Sequence, residues 1–442
     1  MRKGISIIIL YMMALAAVLL SGMAFEIDKY SFLLQLFLLC AGGALSIKSV
    51  TRYPFSNIPT VIIFIVLTCM LIIVLNSGEE AFRCSYKMIL FLVFIGSAKY
   101  SRRNKIDYLG ILFNLFSTLA FVSFICYFLV HFCGFDSYTY SVTSHVNGFC
   151  GVYYYNKFPS IYINETPFYR FSGIFWEPGL YGCYASLALM YNLFFRTGKM
   201  KNFWTAVLFL SGIFTLSITA IGVSLFLMVY SFWINRRIKY EQRKIIGVCL
   251  TVGALIIAVA ALWYKSQAHL TVANRGTGYN SWGVRWLDLT VGLRLMIQNL
   301  PFGIGYNNSL PFEELFKNIV GYKRPGSNGL INWLYQTGIP GLIYMILPFA
   351  LLFRKRYNLN TGFVIKDKSK GVLFGLVCLT LIIINMSEPI FILPIMGIIM
   401  GYLYDKTIAL NCGGLWTEKQ LMFEDYYTAE CTSSTDVEKE MQ

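Results

Sequence analysis

The stretch 203–234 reads FWTAVLFLSGIFTLSITAIGVSLFLMVYSFWI and carries no charged residue. Roughly 20 apolar residues span a bilayer as a helix. The run is therefore either one long tilted span or two spans that meet at a turn, and the choice decides the side of everything after it. The basic segments Arg196–Lys201 and Arg236–Lys244 flank it. Short loops rich in Lys and Arg stay on the cytoplasmic side. A single span would put one of these two groups outside. Two spans, 203–216 and 218–234, with a break near Ser217–Thr219, keep both inside.

Working outward, the whole chain has this character. It is 57% hydrophobic and only 13% charged, where soluble domains run near one quarter charged. Its apolar blocks are continuous rather than alternating, which favours helices over barrel strands. Further spans are expected at 5–24, 30–47, 58–75, 86–98, 106–133, 172–195, 245–264, 331–353, 371–386 and 389–404. The expected fold class is all-α, a polytopic membrane bundle of about 12 transmembrane helices with both termini in the cytoplasm. In that topology most of the 37 Lys and Arg fall inside. The formal charge of +15 then reads as an orientation signal facing anionic lipid. Nucleic acid would need a basic soluble face, and the sequence has none. The first span lacks a small-residue cleavage site before Glu26 and reads as a retained helix.

Two long segments fall outside, about 134–171 and 265–330, and long ordered loops usually carry function. The first is rich in Tyr and Asn: Tyr138, Tyr140, Tyr153, Tyr154, Tyr155 and Tyr162, with Asn147, Asn156 and Asn164. These suit the faces and hydroxyl rims of sugars, or equally an aromatic belt at the lipid headgroups. The second holds an expected helix at 283–299, a break at Pro301, the loop 303–308 and a helix at 311–320. Phe312, Leu315, Phe316 and Ile319 make a stripe that either lies on the membrane or caps the bundle. The eleven Cys act mostly as small apolar residues within spans. Cys133 and Cys150 flank the first loop and are either a pair or two free thiols. Residues 1–404 read as one membrane domain. The acid-rich segment 405–442, from Asp405 on, reads as a disordered cytoplasmic tail.

Walker A, HExxH, paired CxxC, GxSxG and Asp-x-Asp patterns are absent, and the three His are His131, His145 and His269. This argues against an ATPase, a metalloprotease and a metal-dependent nucleotide-sugar transferase; no metal and no cofactor are expected. What remains is Arg on the outer face and Glu in the membrane. Arg170 and Glu177 are seven residues apart and share a face if that turn is helical. Pro178 disfavours the α region at Glu177. A carboxylate within a span is costly and points to function, although a structural Arg170–Glu177 pair is the plain alternative. Glu388-Pro389 repeats the theme at the outer end of the last helical pair, where a tight turn can simply expose it. Arg275, Arg285 and Arg294 suit a phosphate, which guanidinium binds through paired hydrogen bonds. Asp288, three residues from Arg285, is a candidate partner for it, which leaves Arg294 the cleaner candidate. The Gly303–Gly305 loop is expected to add N–H groups as an anion nest.

Four stretches carry a resemblance: RFSGIFWEPG (170–179), Arg285-Trp286 through PFGIG (301–305), SNGLINWLYQTGIPG (327–341), and Ser387-Glu388-Pro389 before Pro394. In this order they resemble the bacterial O-antigen polymerases, within the O-antigen polymerase and ligase superfamily. The likeness covers about 170–404; residues 1–130 match only in hydropathy. It implies a membrane-embedded glycosyltransferase, resembling the GT-C type, in the bacterial inner membrane. Such an enzyme moves a growing chain between undecaprenyl-pyrophosphate-linked oligosaccharides, donor and acceptor, on the periplasmic face. Membrane lipid and a chain-length regulator protein are the further partners it implies. Polymerases of this kind carry Arg and Gly with ten residues between them in periplasmic loops. Arg294 and Gly305 fit; Arg170 does not, since position 181 is Tyr. The ligase branch places a His beside the Asn of the third stretch, where this chain has Ser327 before Asn328. That departure favours a polymerase and leaves the general base open between Glu177 and His269. The implied substrate-binding set is Arg170, Arg275, Arg285, Arg294, Gly303, Gly305, Asn328 and Glu388. A ligase acting on lipid A core and a flippase for lipid-linked sugar remain the rivals. A transporter would want charges at mid-membrane and paired repeats.

Overall fold

The computed structural model describes residues 3–22, 30–50, 57–142, 146–156, 161–163, 166–196, 198–234, 281–321, 323–324, 326, 328–357, 368–388, 390 and 393–411. The expected span at 245–264 and the segment 412–442 lie outside them. Helices dominate: α1 (Lys3–Leu20), α2 (Ser31–Val50), α3 (Asn57–Leu75), α4 (Ala81–Arg103) and α5 (Tyr108–Phe132) precede the first long loop. After it come α6 (Pro178–Phe194), α7 (Lys201–Phe214), α8 (Ile218–Ile234), α9 (Ser281–Gln298), α10 (Leu310–Val320), α11 (Gly329–Tyr357), α12 (Lys368–Ser387) and α13 (Pro394–Asn411). Among the described residues, Ser31–Ser49, Gly78–Arg103, Tyr108–Phe132 and Gly329–Leu351 are long and apolar enough to cross a membrane individually. Gly4–Leu20, Val61–Leu75, Ile218–Phe232 and Val377–Ser387 are shorter apolar helices.

The deciding stretch folds as a hairpin. Leu216 takes a left-handed φ of 51° between α7 and α8. Position 182 of α6 lies against both Thr215 and Ala220. Further along α6, Ser186 approaches Ser224 at 3.5 Å, and Asn192 donates to the Lys201 carbonyl at 3.0 Å. So α7 runs antiparallel to α6 and α8 runs parallel to it: the chain reverses at 215–217, where the charge argument put the break.

Such contacts give the bundle two distinct ends. At one, Arg102 grips Asp405 through two hydrogen bonds of 2.7 and 2.9 Å, Arg103 donates to the Ser49 carbonyl, and the Tyr191 hydroxyl donates to Asp107. This is the basic end. It also corrects one expectation. Asp405 does not open a polar tail: α13 runs on to Asn411, and Asp405 is 1% exposed. A carboxylate can sit there because Arg102 neutralises it.

At the opposite, loop end, the Trp176 amide donates to the Gly22 carbonyl, the Ile395 amide to Ser21 Oγ, and Asn76 to the carbonyls of Phe302 and Gly303. The first long loop departs from the all-α expectation there. Tyr140–Ser141 (β1), Val146–Phe149 (β2) and Tyr153–Asn156 (β3) form an antiparallel sheet in the order β1-β2-β3, and Ile161–Ile163 (β4) pairs with Thr166–Phe168 (β5). Tyr153 and Tyr154 are fully buried and Tyr155 nearly so. Tyr153 and Tyr155 pack on the end of α5, where His131 bonds the Tyr153 hydroxyl at 2.9 Å and stacks on Tyr169. Tyr153, Tyr154 and Tyr155 are core, neither sugar platform nor headgroup belt; Tyr138 and Tyr140 do stay exposed. Cys133 and Cys150 are free thiols.

The expected single span at 331–353 is broken inside α11. Gly338 has φ 61° and ψ −147°, and Pro340 follows. Breaking a helix in a bilayer strands backbone groups that need partners. The loop after α9 supplies them: Ile304 N donates to Tyr335 O, Gly305 N to Gln336 O, and Ile339 N to Pro301 O, at 2.8–3.0 Å. The fit is close enough that a Cβ on Gly338 would stand 2.2 Å from Pro301 O.

Candidate functional site

The loop end gathers charged groups around the first turn of α6. Glu177 holds an extended backbone (φ −123°, ψ 124°) before Pro178, so the helix starts at the proline, whose missing N–H costs nothing there. Its side chain makes no capping bond to α6. Arg170 is half-buried, and its Nε donates to the Thr215 carbonyl at 2.8 Å. The guanidinium is thereby tied to the α7–α8 turn. From the other side comes Glu388, 7% exposed, at the end of α12. Its carboxylate lies directly on Gly179: a Cβ there would stand 2.3 Å from Oε1. Thr219 of α8 donates to Ser387 Oγ at 2.8 Å and fixes the approach of α12.

Arg170, Glu177 and Glu388 are thus each placed near the start of α6, Arg170 on the α7–α8 turn, Glu177 at the N-cap and Glu388 against Gly179. A carboxylate at a helix N-terminus is favoured by the helix dipole, which accounts for Glu388 remaining so nearly buried. The three were expected as site residues; Gly179, Thr215, Thr219 and Ser387, which position them, were not. Glu177-Pro178-Gly179 did carry a signal, since a glycine after the helix-starting proline admits close approach of another group.

The other expected residues fall elsewhere. Arg294 is exposed on α9, on the face bearing Trp286, Leu293 and Ile297. That helix packs on α10 and α11, with Val291 and Leu295 against Phe312, Phe316, Ile331 and Tyr335. Phe312 and Phe316 therefore cap the bundle. Asp288, 1% exposed, is held by Arg324 at 3.2 Å, a partner far along the chain that helical spacing does not suggest. The Arg285 side chain, Arg275 and His269 lie outside the described residues. The nest reading of Gly303–Gly305 is corrected: the N–H groups of Gly303, Ile304 and Gly305 all donate to carbonyls, so the glycines serve the docking onto α11. Asn328 likewise has a structural task. Its Oδ1 accepts from Ile331 N at 3.1 Å and caps α11. Burial drives the Tyr153 and Tyr154 hydroxyls far above their ordinary range, which removes both as bases. Among the described residues no group of three or more His, Cys, Asp or Glu is placed to hold a metal.

The class defined by this architecture is a helical membrane protein with a charged, polar cluster at one end of its bundle. Residues 203–346 match the family model described as O-antigen ligase. No curated protein matches the chain. The family match supports the O-antigen polymerase and ligase superfamily, and with it glycosyl transfer and polysaccharide biosynthesis at a membrane; it does not separate polymerase from ligase. It spans α7 to the first half of α11, so Arg170, Glu177 and Glu388 lie beyond it.

Proposed function

We propose that this chain is a glycosyltransferase that polymerises lipid-linked oligosaccharide repeats on the periplasmic face of the bacterial inner membrane. The observation that supports the reading is the placement of Arg170, Glu177 and Glu388 near the start of α6, at the loop end of a bundle whose other end holds Lys99, Arg102, Arg103 and Lys105. Basic loops face the cytoplasm, which turns the cluster and both long loops outward and leaves the termini inside.

In the reaction the bond between the donor's anomeric carbon and its pyrophosphate breaks as the acceptor hydroxyl attacks. Undecaprenyl pyrophosphate leaves with the bonding electrons; Arg170 meets its growing charge, and Arg294, exposed on α9 outside the cluster, is the second cation that the scheme assigns to it. The acceptor's proton passes to Glu177. Glu388 orients the acceptor sugar through its hydroxyls. Guanidinium supplies the positive charge, so no metal enters the scheme.

The description of the matched family favours a second reading, transfer of finished polymer to lipid A core. Ser327, where the ligase branch has its histidine, weighs against it. Deletion of the gene followed by a gel of surface polysaccharide tests both. A single repeat on core is the expected result. Unattached polymer would make the chain a ligase, and loss of every surface repeat would make it a flippase.

A further inference from the structure

Lys87 lies outside the cluster described above and outside the family match. It sits in the second turn of α4, at the loop end, half-buried. Its ammonium donates to the hydroxyl of Tyr306, which is 3% exposed and follows directly on the docked Gly303–Gly305 loop. The nearest acidic residue along the helix, Glu80, pairs with Arg83 at 3.2 Å instead. Among the described residues no carboxylate is in ion-pair contact with Lys87. Its one hydrogen-bond partner is neutral: burial holds the Tyr306 hydroxyl well above its ordinary range, so it carries no charge to balance the ammonium.

Glu80 acts on the ammonium only from a distance and Arg83 opposes it; a partly desolvated cation with no carboxylate in contact among the described residues is costly, and removing water strengthens its attraction for any anion that arrives. Nζ also lies over the Tyr306 ring, 5.1 Å from its centroid, a contact that favours a cation but does not neutralise it. We propose that Lys87 is a binding site for the pyrophosphate of a membrane-borne polyprenyl carrier, with Tyr306 holding the ammonium in place. The ligand class rests on the function proposed above; the site itself rests on the geometry.

The test uses the full chain in zwitterionic nanodiscs titrated with farnesyl pyrophosphate, with affinity read by calorimetry. Lys87→Met should weaken binding roughly ten- to a hundredfold, as expected for loss of a hydrogen bond to a charged group. Tyr306→Phe removes the hydroxyl but keeps the cation over the ring, and should lose far less affinity than Lys87→Met. Lys87→Arg keeps the charge and should retain most of the affinity, which preserves the test if Lys87→Met fails to insert. Equal losses in Lys87→Met and Tyr306→Phe would mean a loop anchor and overturn the proposal, as would unchanged binding in Lys87→Met. Loss of farnesyl pyrophosphate binding in phosphatidylglycerol discs would assign the site to anionic headgroups and overturn the carrier. Binding is read without turnover. Lys87-dependent binding in a chain that makes no polymer would therefore sink the proposed function alone.

Discussion

Gly179 offers a way to move the Glu388 carboxylate without changing its charge. A methyl group at position 179 would stand 2.3 Å from Glu388 Oε1, 3.1 Å from Cδ and 3.8 Å from Cγ. All three atoms belong to the outer part of a flexible side chain. In Gly179→Ala the backbone therefore stays and the carboxylate swings away from the first turn of α6. Overpacking costs about 1–3 kcal/mol, while Gly→Ala at a compatible position returns about 0.4–1 kcal/mol through the unfolded chain. A moving side-chain tip puts the cost at the low end, so the two terms largely offset and protein level should hold. Activity should not. Loss of one preorganised polar contact costs about 2.7–4 kcal/mol of barrier, or roughly 10²–10³ in rate. The assay is polymer length and amount, normalised to protein in the membrane. Gly222→Ala in α8 is the control, because its added methyl meets nothing within 4 Å. Polymer from Gly179→Ala indistinguishable from that of Gly222→Ala would refute the placement of Glu388 in the site.

Gly338→Ala meets backbone rather than side chain, 2.2 Å from Pro301 O, at a φ of 61°; strain of about 1–3 kcal/mol plus the clash should deplete the protein from the membrane, and a normal level would contradict the docked break. Arg102→Ala leaves Asp405 buried without its cation and should cost about 3–5 kcal/mol, whereas Arg102→Met with Asp405→Leu should restore the protein level; equal levels in single and double variants would show the pair to be dispensable. Arg294→Lys keeps charge but loses the two-pronged geometry, so polymer should fall roughly 10²–10³-fold at unchanged protein level; near-normal polymer from both Arg294→Lys and Arg294→Ala would remove it from the site. Glu177→Gln should abolish turnover with donor binding intact, and substantial polymer from it would leave Glu177 a structural group.

The apolar helices among the described residues were legible because hydropathy is a local property, and the 203–234 hairpin because charge on both flanks argues for keeping both loops on one side. Failures came where a residue's partner is remote in sequence. The span expected at 86–98 is the middle of α4, which runs from Ala81 to Arg103. Its polar ends are helical because Lys87 reaches Tyr306 and Arg102 reaches Asp405, 219 and 303 residues away. The same pair hid Asp405, which looks like the start of a tail until Arg102 is seen beside it. Gly338-Ile339-Pro340 signals a weak helix but not the strand-like loop that fills the break. Arg170, Glu177 and Glu388 stand out as candidates because charge near a bilayer is rare. The placement of Glu388 beside the start of α6 was not legible, since it depends on Gly179 admitting Glu388 and on Thr219 holding Ser387. The capping task of Asn328 was not legible because an N-cap and a binding amide look alike in sequence.

The most direct measurement of the central claim gives the purified chain in nanodiscs a single substrate, an undecaprenyl-pyrophosphate-linked repeat, with lipid A core and EDTA present. Products are followed by mass spectrometry. A polymerase yields undecaprenyl pyrophosphate carrying two or more repeats, with one free undecaprenyl pyrophosphate released for each bond formed, and an unaltered core. Glycan appearing on the core with no lengthened carrier-linked product, or activity that returns only when magnesium or manganese is restored, would contradict a metal-independent polymerase.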